Sequence, residues 1–135
     1  MEIGCHALVW TGDFEGDGVR TAVDKTKRAG FDLVEFPLME PSRFNTEGAV
    51  AALQAARLQA SASLGLSERT DISSEEPAAV RSGAALLHNA VEVAERIGSR
   101  YLTGVIYGAM QKHRTPATRR GLQNSVGVIQ ELADH

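Results

Sequence analysis

The sequence predicts an α/β fold in which strands and helices alternate. Three observations predict it. Four short apolar runs, Ile3 to Trp10, Phe31 to Phe36, Ser61 to Leu66 and Tyr101 to Tyr107, have the length of strands. Four longer stretches of helical period separate and follow them. Each of those stretches is long enough for a right-handed crossover between parallel strands.

The first run gives way to Gly12–Gly18, a Gly- and Asp-rich loop. A helix follows, with Val19, Val23 and Ala29 on one face, and Gly30 closes it as a C′ residue. In the second run Val34 and Phe36 share one face while Leu33 and Glu35 share the other. The second helix opens at the N-cap pair Asn45-Thr46 and carries Ala49, Val50, Leu53 and Ala60. After the third run, Ser73-Ser74-Glu75-Glu76-Pro77 marks a helix start: Ser74 is a good cap and the glutamates suit the positive helix end. The stripe Val80, Ala84, Leu87, Val91, Ala94 and Ile97 follows a 3.6-residue period and stops at Gly98. The last helix starts after Thr115-Pro116 and carries Leu122, Val126, Ile129 and Ala133. The chain stops within that helical pattern with no Gly or Pro to end it, which favours a protein that continues beyond it; a frayed terminal helix is the other reading. The order β-α-β-α-β-α-β-α suits either a small open sheet or half of an eight-unit barrel.

Composition narrows the function classes. A length of 135 residues predicts one domain, 1–135. With 43% hydrophobic and 23% charged residues the chain reads as globular rather than disordered. A net charge of −3 and the lack of a basic stripe argue against a nucleic-acid partner. No apolar run reaches the roughly 20 residues of a membrane span, and Met1-Glu2-Ile3-Gly4 does not open a signal peptide. The single Cys5 excludes an internal disulfide, and the expected location is cytoplasmic.

Few local motifs carry chemistry. Asp13, Glu15, Asp17, Gly18 and Asp24 fall at EF-hand spacings, but the closing Glu and the preceding helix are missing, so the segment reads as a solvated turn. There is no phosphate loop and no nucleophile elbow. His88 reads as a satisfied or surface histidine and Lys112-His113-Arg114 as a basic loop. Three features carry more weight. His6 and Trp10 would share a face of a strand, as a sugar-facing pair or a packing pair. Glu35 stands near the C-terminal end of a strand, where α/β folds gather ligands; a structural hydrogen bond is the other reading. Gly65, Gly104 and Gly108 stand near strand ends, where glycine permits close approach of a ligand or a tight turn.

The stretches Ile3 to Trp10, Ala29 to Glu35, and Gly65 to Ser74 resemble the opening of the D-tagatose 3-epimerase and D-psicose 3-epimerase family. The helix Val80 to Gly98 and the strand Tyr101 to Gly108 are similar to its next unit. The family belongs to the xylose-isomerase-like (β/α)8 TIM barrels, and the resemblance covers only the first four βα units. It implies a half barrel, and in the intact protein epimerisation of a ketose at C3 through an enediolate. It implies a divalent ion, Mn2+ or Co2+, whose ligands come with both proton-transferring glutamates from strands five to eight. This chain would thus carry no metal ligand and no catalytic residue, and would be inactive alone. The substrate-binding residues that carry over are His6, Trp10, Glu35, Gly65 and Tyr107, with His6 standing where the family has an aromatic. The partner expected is a small sugar, with no nucleic acid and no membrane. The exposed edges of a half barrel predict self-association or pairing with a second half. Competing readings are an autonomous α/β binding module, or a hydroxypyruvate isomerase-like or inosose dehydratase-like reaction of the same superfamily.

Overall fold

The computed structural model describes residues 1–111 and 116–134. Lys112-His113-Arg114 and Thr115 lie outside the described residues. Four strands and four helices alternate as predicted: β1 (Gly4–His6), α1 (Gly18–Arg28), β2 (Leu33–Pro37), α2 (Thr46–Ala56), β3 (Gln59–Leu66), α3 (Pro77–Arg96), β4 (Leu102–Ala109) and α4 (Arg119–Ala133). The strands lie in one sheet in chain order, β1-β2-β3-β4. β1 pairs with β2, and β2 with β3, in parallel. The registers align His6 with Glu35, and Glu35 with Ser61. β4 joins β3 through Ala62 N–H to the Tyr101 carbonyl and Met110 N–H to the Leu66 carbonyl.

The chain divides into two compact units. The first comprises Met1–Ser63 with Ala90–Leu102, the second Leu64–Asn89 with Thr103–His135.

The core of the first unit is built from the apolar positions the periodicity predicts. Val19, Ala22 and Val23 of α1, Val34 and Phe36 of β2, and Ala49 of α2 are buried. An aromatic cluster sits at the C-terminal end of β2. Phe36 meets Phe44 at 5.3 Å between ring centroids and Phe14 at 6.4 Å, both edge-on. Helix ends follow local chemistry. The Asn45 side chain accepts from Gly48 N–H and starts α2, and Gly30 takes φ +85° just past α1. α2 stops at Ala56 because Arg57 turns into the left-handed region at φ 48°. Ala60 therefore belongs to β3 and not to the α2 stripe. Ala29, also assigned to a buried face, is an exposed cap.

In the second unit Leu64, Leu66, Ile72, Leu87 and Val128 are buried. Ser74 does not cap α3 directly. Its hydroxyl accepts from Glu76 N–H in the turn before Pro77, the first residue of α3. α4 departs most from the sequence pattern. It begins at Arg119 with Thr118 as N-cap. Its buried positions are Gly121, Ser125 and Val128, while Leu122 and Val126 are 64% and 45% exposed. The reason is close approach. Gly121 lies against the Ser73 carbonyl, where a Cβ would collide, and Ser125 Oγ donates to the Tyr107 carbonyl at 2.6 Å. Asn124 also donates to the Ser74 carbonyl, at 2.8 Å. Small and polar side chains thus seat the helix, and the bulkier stripe next to them faces out.

Candidate functional site

The face of the sheet that carries Val34, Phe36 and Ala62 is closed by packing. The opposite face carries His6, Glu35, Ser61 and Ser63, all half-buried. A parallel sheet normally covers both faces with apolar side chains, so short polar groups on one of them mark a surface with spare hydrogen-bonding capacity.

His6 is the pivot of this face. Its Nδ1 accepts the Leu8 N–H at 3.2 Å and caps a 3-10 turn over Ala7–Val9. An accepting Nδ1 assigns the ring proton to Nε2. That nitrogen lies 3.6 Å from Glu35 Oε1 and 3.5 Å from Ser63 Oγ. Both contacts are long, and the His6 and Glu35 side chains keep about a third of their surface exposed, at 35% and 33%. A group arriving on this face therefore meets an N–H, a carboxylate and a hydroxyl that are aligned but not locked to one another.

The same cap changes the reading of Trp10. The strand ends at His6, so His6 and Trp10 do not share a strand face. Trp10 follows the turn with helical backbone, φ −105° and ψ −36°. Its indole N–H donates to the buried Thr26 hydroxyl of α1 at 2.9 Å. Only its ring surface is left for other contacts.

Gly65 and Tyr107 belong to the second unit. Gly65 stands one residue before the end of β3, and a Cβ there would meet Met110 Sδ at 2.9 Å. Tyr107 lies in β4 with its side chain 65% exposed. His88, on α3, is half-buried and lies 3.8 Å from the Glu131 carboxylate of α4.

Two features had no sequence signal of their own. Ser63 looked like one small residue in an apolar run; only the register beside β2 brings it to His6. The second feature is a pocket of about 230 Å³ at the C-terminal ends of β1 and β2, lined by Leu8, Phe14, Met39, Phe44 and the charged Glu15, Glu40 and Arg43. Arg43 is clamped, Nη2 to Glu15 at 2.8 Å and Nη1 to Glu40 at 3.1 Å. The hydrogen bond to Glu40, then the charge of Glu15, raise its pKa above the ordinary arginine value. Asp13 closes the neighbouring loop. Its Oδ1 accepts the amides of Glu15 and Gly16, and these bonds, Gly16 first, lower its pKa below the ordinary carboxylate value. The carboxylate with calcium-loop spacing is thus used as a backbone clasp. Among the described residues, no group of three or more His, Cys, Asp or Glu is placed to hold a metal ion, and no helix is long and apolar enough to cross a membrane.

No family model matches the chain. A ketose 3-epimerase of Arthrobacter globiformis is 54% identical over 134 residues, covering 99% of this chain and 46% of that protein. An L-ribulose 3-epimerase of Methylomonas sp. strain DH-1 is 43% identical over 135 residues, covering 47% of its own length. The crystal structure of a Methylomonas sp. D-allulose 3-epimerase in complex with D-allulose superposes with a TM-score of 0.94 at 43% identity, covering 99% of this chain and 46% of that one. The chain spans about half the length of the curated relatives it matches. In sequence and in fold it corresponds to the N-terminal half of the ketose 3-epimerases, a family of TIM barrels.

Proposed function

We propose that residues 1–135 form the first four βα units, β1-α1 to β4-α4, of one barrel domain in a cytoplasmic ketose 3-epimerase, and that the open face of the sheet binds the sugar. The observation that carries this reading is the juxtaposition of His6, Glu35 and Ser63 on the uncovered face of a fold shared with an epimerase that holds D-allulose. A ketose offers a hydroxyl on nearly every carbon. The Nε2–H of His6 donates to such an oxygen, the Glu35 carboxylate accepts from one, and Ser63 does either. Trp10 offers its ring surface as a wall, and Gly65 and Tyr107 of the second unit are assigned to sugar binding by their place near the ends of β3 and β4.

The reaction is epimerisation at C3, a proton removed and returned through an enediolate. Among the described residues no group of His, Cys, Asp or Glu is placed to hold the Mn2+ or Co2+ that this family implies. Nor does the chain assign itself the proton transfer; its residues bind and orient. The reading therefore requires a second half, supplied by the rest of a longer chain or by a partner copy. The unpaired edges of β1 and β4 favour such pairing.

The test joins this chain in frame to the C-terminal half of the Arthrobacter globiformis relative. The joined protein, checked for cooperative unfolding, is expected to interconvert ketoses at C3 while the chain alone does not. Glu35→Gln in the joined protein is expected to raise KM about tenfold, the loss of one charged hydrogen bond. A folded joined protein that leaves every ketose unchanged would overturn the reading, as would turnover by the chain alone.

A further inference from the structure

We propose that the cavity at the N-terminal ends of β2 and β3 is a second ligand site, which takes a small organic phosphate with an apolar body. The cavity holds about 510 Å³, within the range of small-molecule sites. It meets the sugar-facing surface at Ser61 and lies at the other end of β2 from the smaller pocket. β2 opens in this cavity at Leu33 and closes in the smaller pocket at Pro37, and five strand residues span roughly 13 to 17 Å.

Its charge is what sets it apart. Arg57, Arg96 and Arg100 all line it. Among the described residues, none of these three guanidinium groups has an ion-pair partner, whereas Arg43 at the other end of the sheet has two. Among the described residues, the one acid lining the cavity is Glu2, and its carboxylate is engaged by the Gln59 amide at 2.8 Å. The C-terminal ends of α2 and α3 each add about half a negative charge, which leaves a balance of about one positive charge. An anion is favoured over a cation. Three planar guanidinium forks match the three terminal oxygens of a phosphate monoester better than the two of a carboxylate. The rest of the lining includes the apolar Leu33, Leu53, Leu58 and Ile97, together with Tyr101. The cavity therefore has a cationic group of residues and apolar lining for a hydrocarbon or ring.

Arg57 allows a clean test. It holds the left-handed backbone that ends α2, φ 48°, where glycine is the unstrained residue. Arg57→Gly thus removes a guanidinium while relieving the backbone. The chain would be titrated with phenyl phosphate, inorganic phosphate, benzoate and phenol, following its backbone amides by NMR. Saturable shifts are expected at residues 57–61 and 96–101, with phenyl phosphate at least about tenfold tighter than each of the others. Arg57→Gly and Arg100→Gln are each expected to weaken it by about tenfold, with the unfolding midpoint of Arg57→Gly equal to or above that of the parent chain. The proposal fails if these amides do not move, if benzoate or phenol competes equally, or if both variants bind like the parent. The outcome is independent of whether the sugar-facing surface acts in an epimerase.

Discussion

Along β2, Val34 and Phe36 are fully buried while their neighbours Leu33 and Glu35 remain half-exposed, and β3 repeats the alternation with Ala62, Leu64 and Leu66 buried and Ser61, Ser63 and Gly65 half-exposed. The buried face is alkyl and aromatic, and Phe36 on it packs against the rings of Phe14 and Phe44. The other face carries His6, Glu35, Ser61 and Ser63, and the contacts of His6 with Glu35 and Ser63 are long. A side chain on the first face acts through volume, since a close-packed interior registers the loss of even a methylene. A side chain on the second acts through the donors and acceptors it holds ready. Packing groups and open hydrogen-bonding groups thus occupy alternate residues of the same strands.

The largest effect should come from the packed face. Phe36→Ala is expected to destabilise the chain by about 3–5 kcal/mol, because it removes the ring that Phe14 and Phe44 both contact. Urea unfolding measures it, and a loss below about 1 kcal/mol would break the division between the faces. One residue earlier, on the open face, Glu35→Gln keeps shape and hydrogen-bonding ability and is expected to change stability by less than about 0.5 kcal/mol in the same experiment. A large loss there would mean that the His6 contact holds the fold together rather than waiting for a ligand.

The smallest effect lies in the loop beside the smaller pocket. The Asp13 carboxylate is lowered from its ordinary value of 3.8 by the Gly16 and Glu15 amides. A carboxylate with a depressed folded-state pKa stabilises the fold above the unfolded value, and loses that contribution as pH falls through the folded value. The Gly16 amide resonance should therefore titrate with a midpoint below 3.8, and a midpoint at or above it would show that the clasp does not persist in solution. Because Asp13 is exposed, the effect on overall stability should be slight.

Much of this molecule is legible in the chain. Four strand runs and four helical periods give the element order, because apolar spacing reflects which side must leave water. Asn45, Gly30 and Gly98 mark helix ends by chemistry that needs no tertiary partner, and Glu35 is placed on its face by the two-residue period of β2. Other features are not local. β1 is three residues long because the His6 ring caps the turn after it, a contact that hydrophobicity does not encode. Trp10 turns to Thr26, sixteen residues away. α4 is seated by Gly121 and Ser125 instead of its larger apolar stripe, because approach of backbone to backbone favours the smallest side chains.

By itself, then, the sequence determined the alternation of elements, their polarity, and the residues of β2 that face away from the core, since each depends on neighbours within a few positions. Only the tertiary structure decided that His6, Glu35 and Ser63 meet, that Arg43 is clamped while Arg57, Arg96 and Arg100 share one cavity, and which side of α4 is buried. Those outcomes depend on strand register and helix approach. Both join residues far apart in the chain, and neither leaves a periodic trace in it.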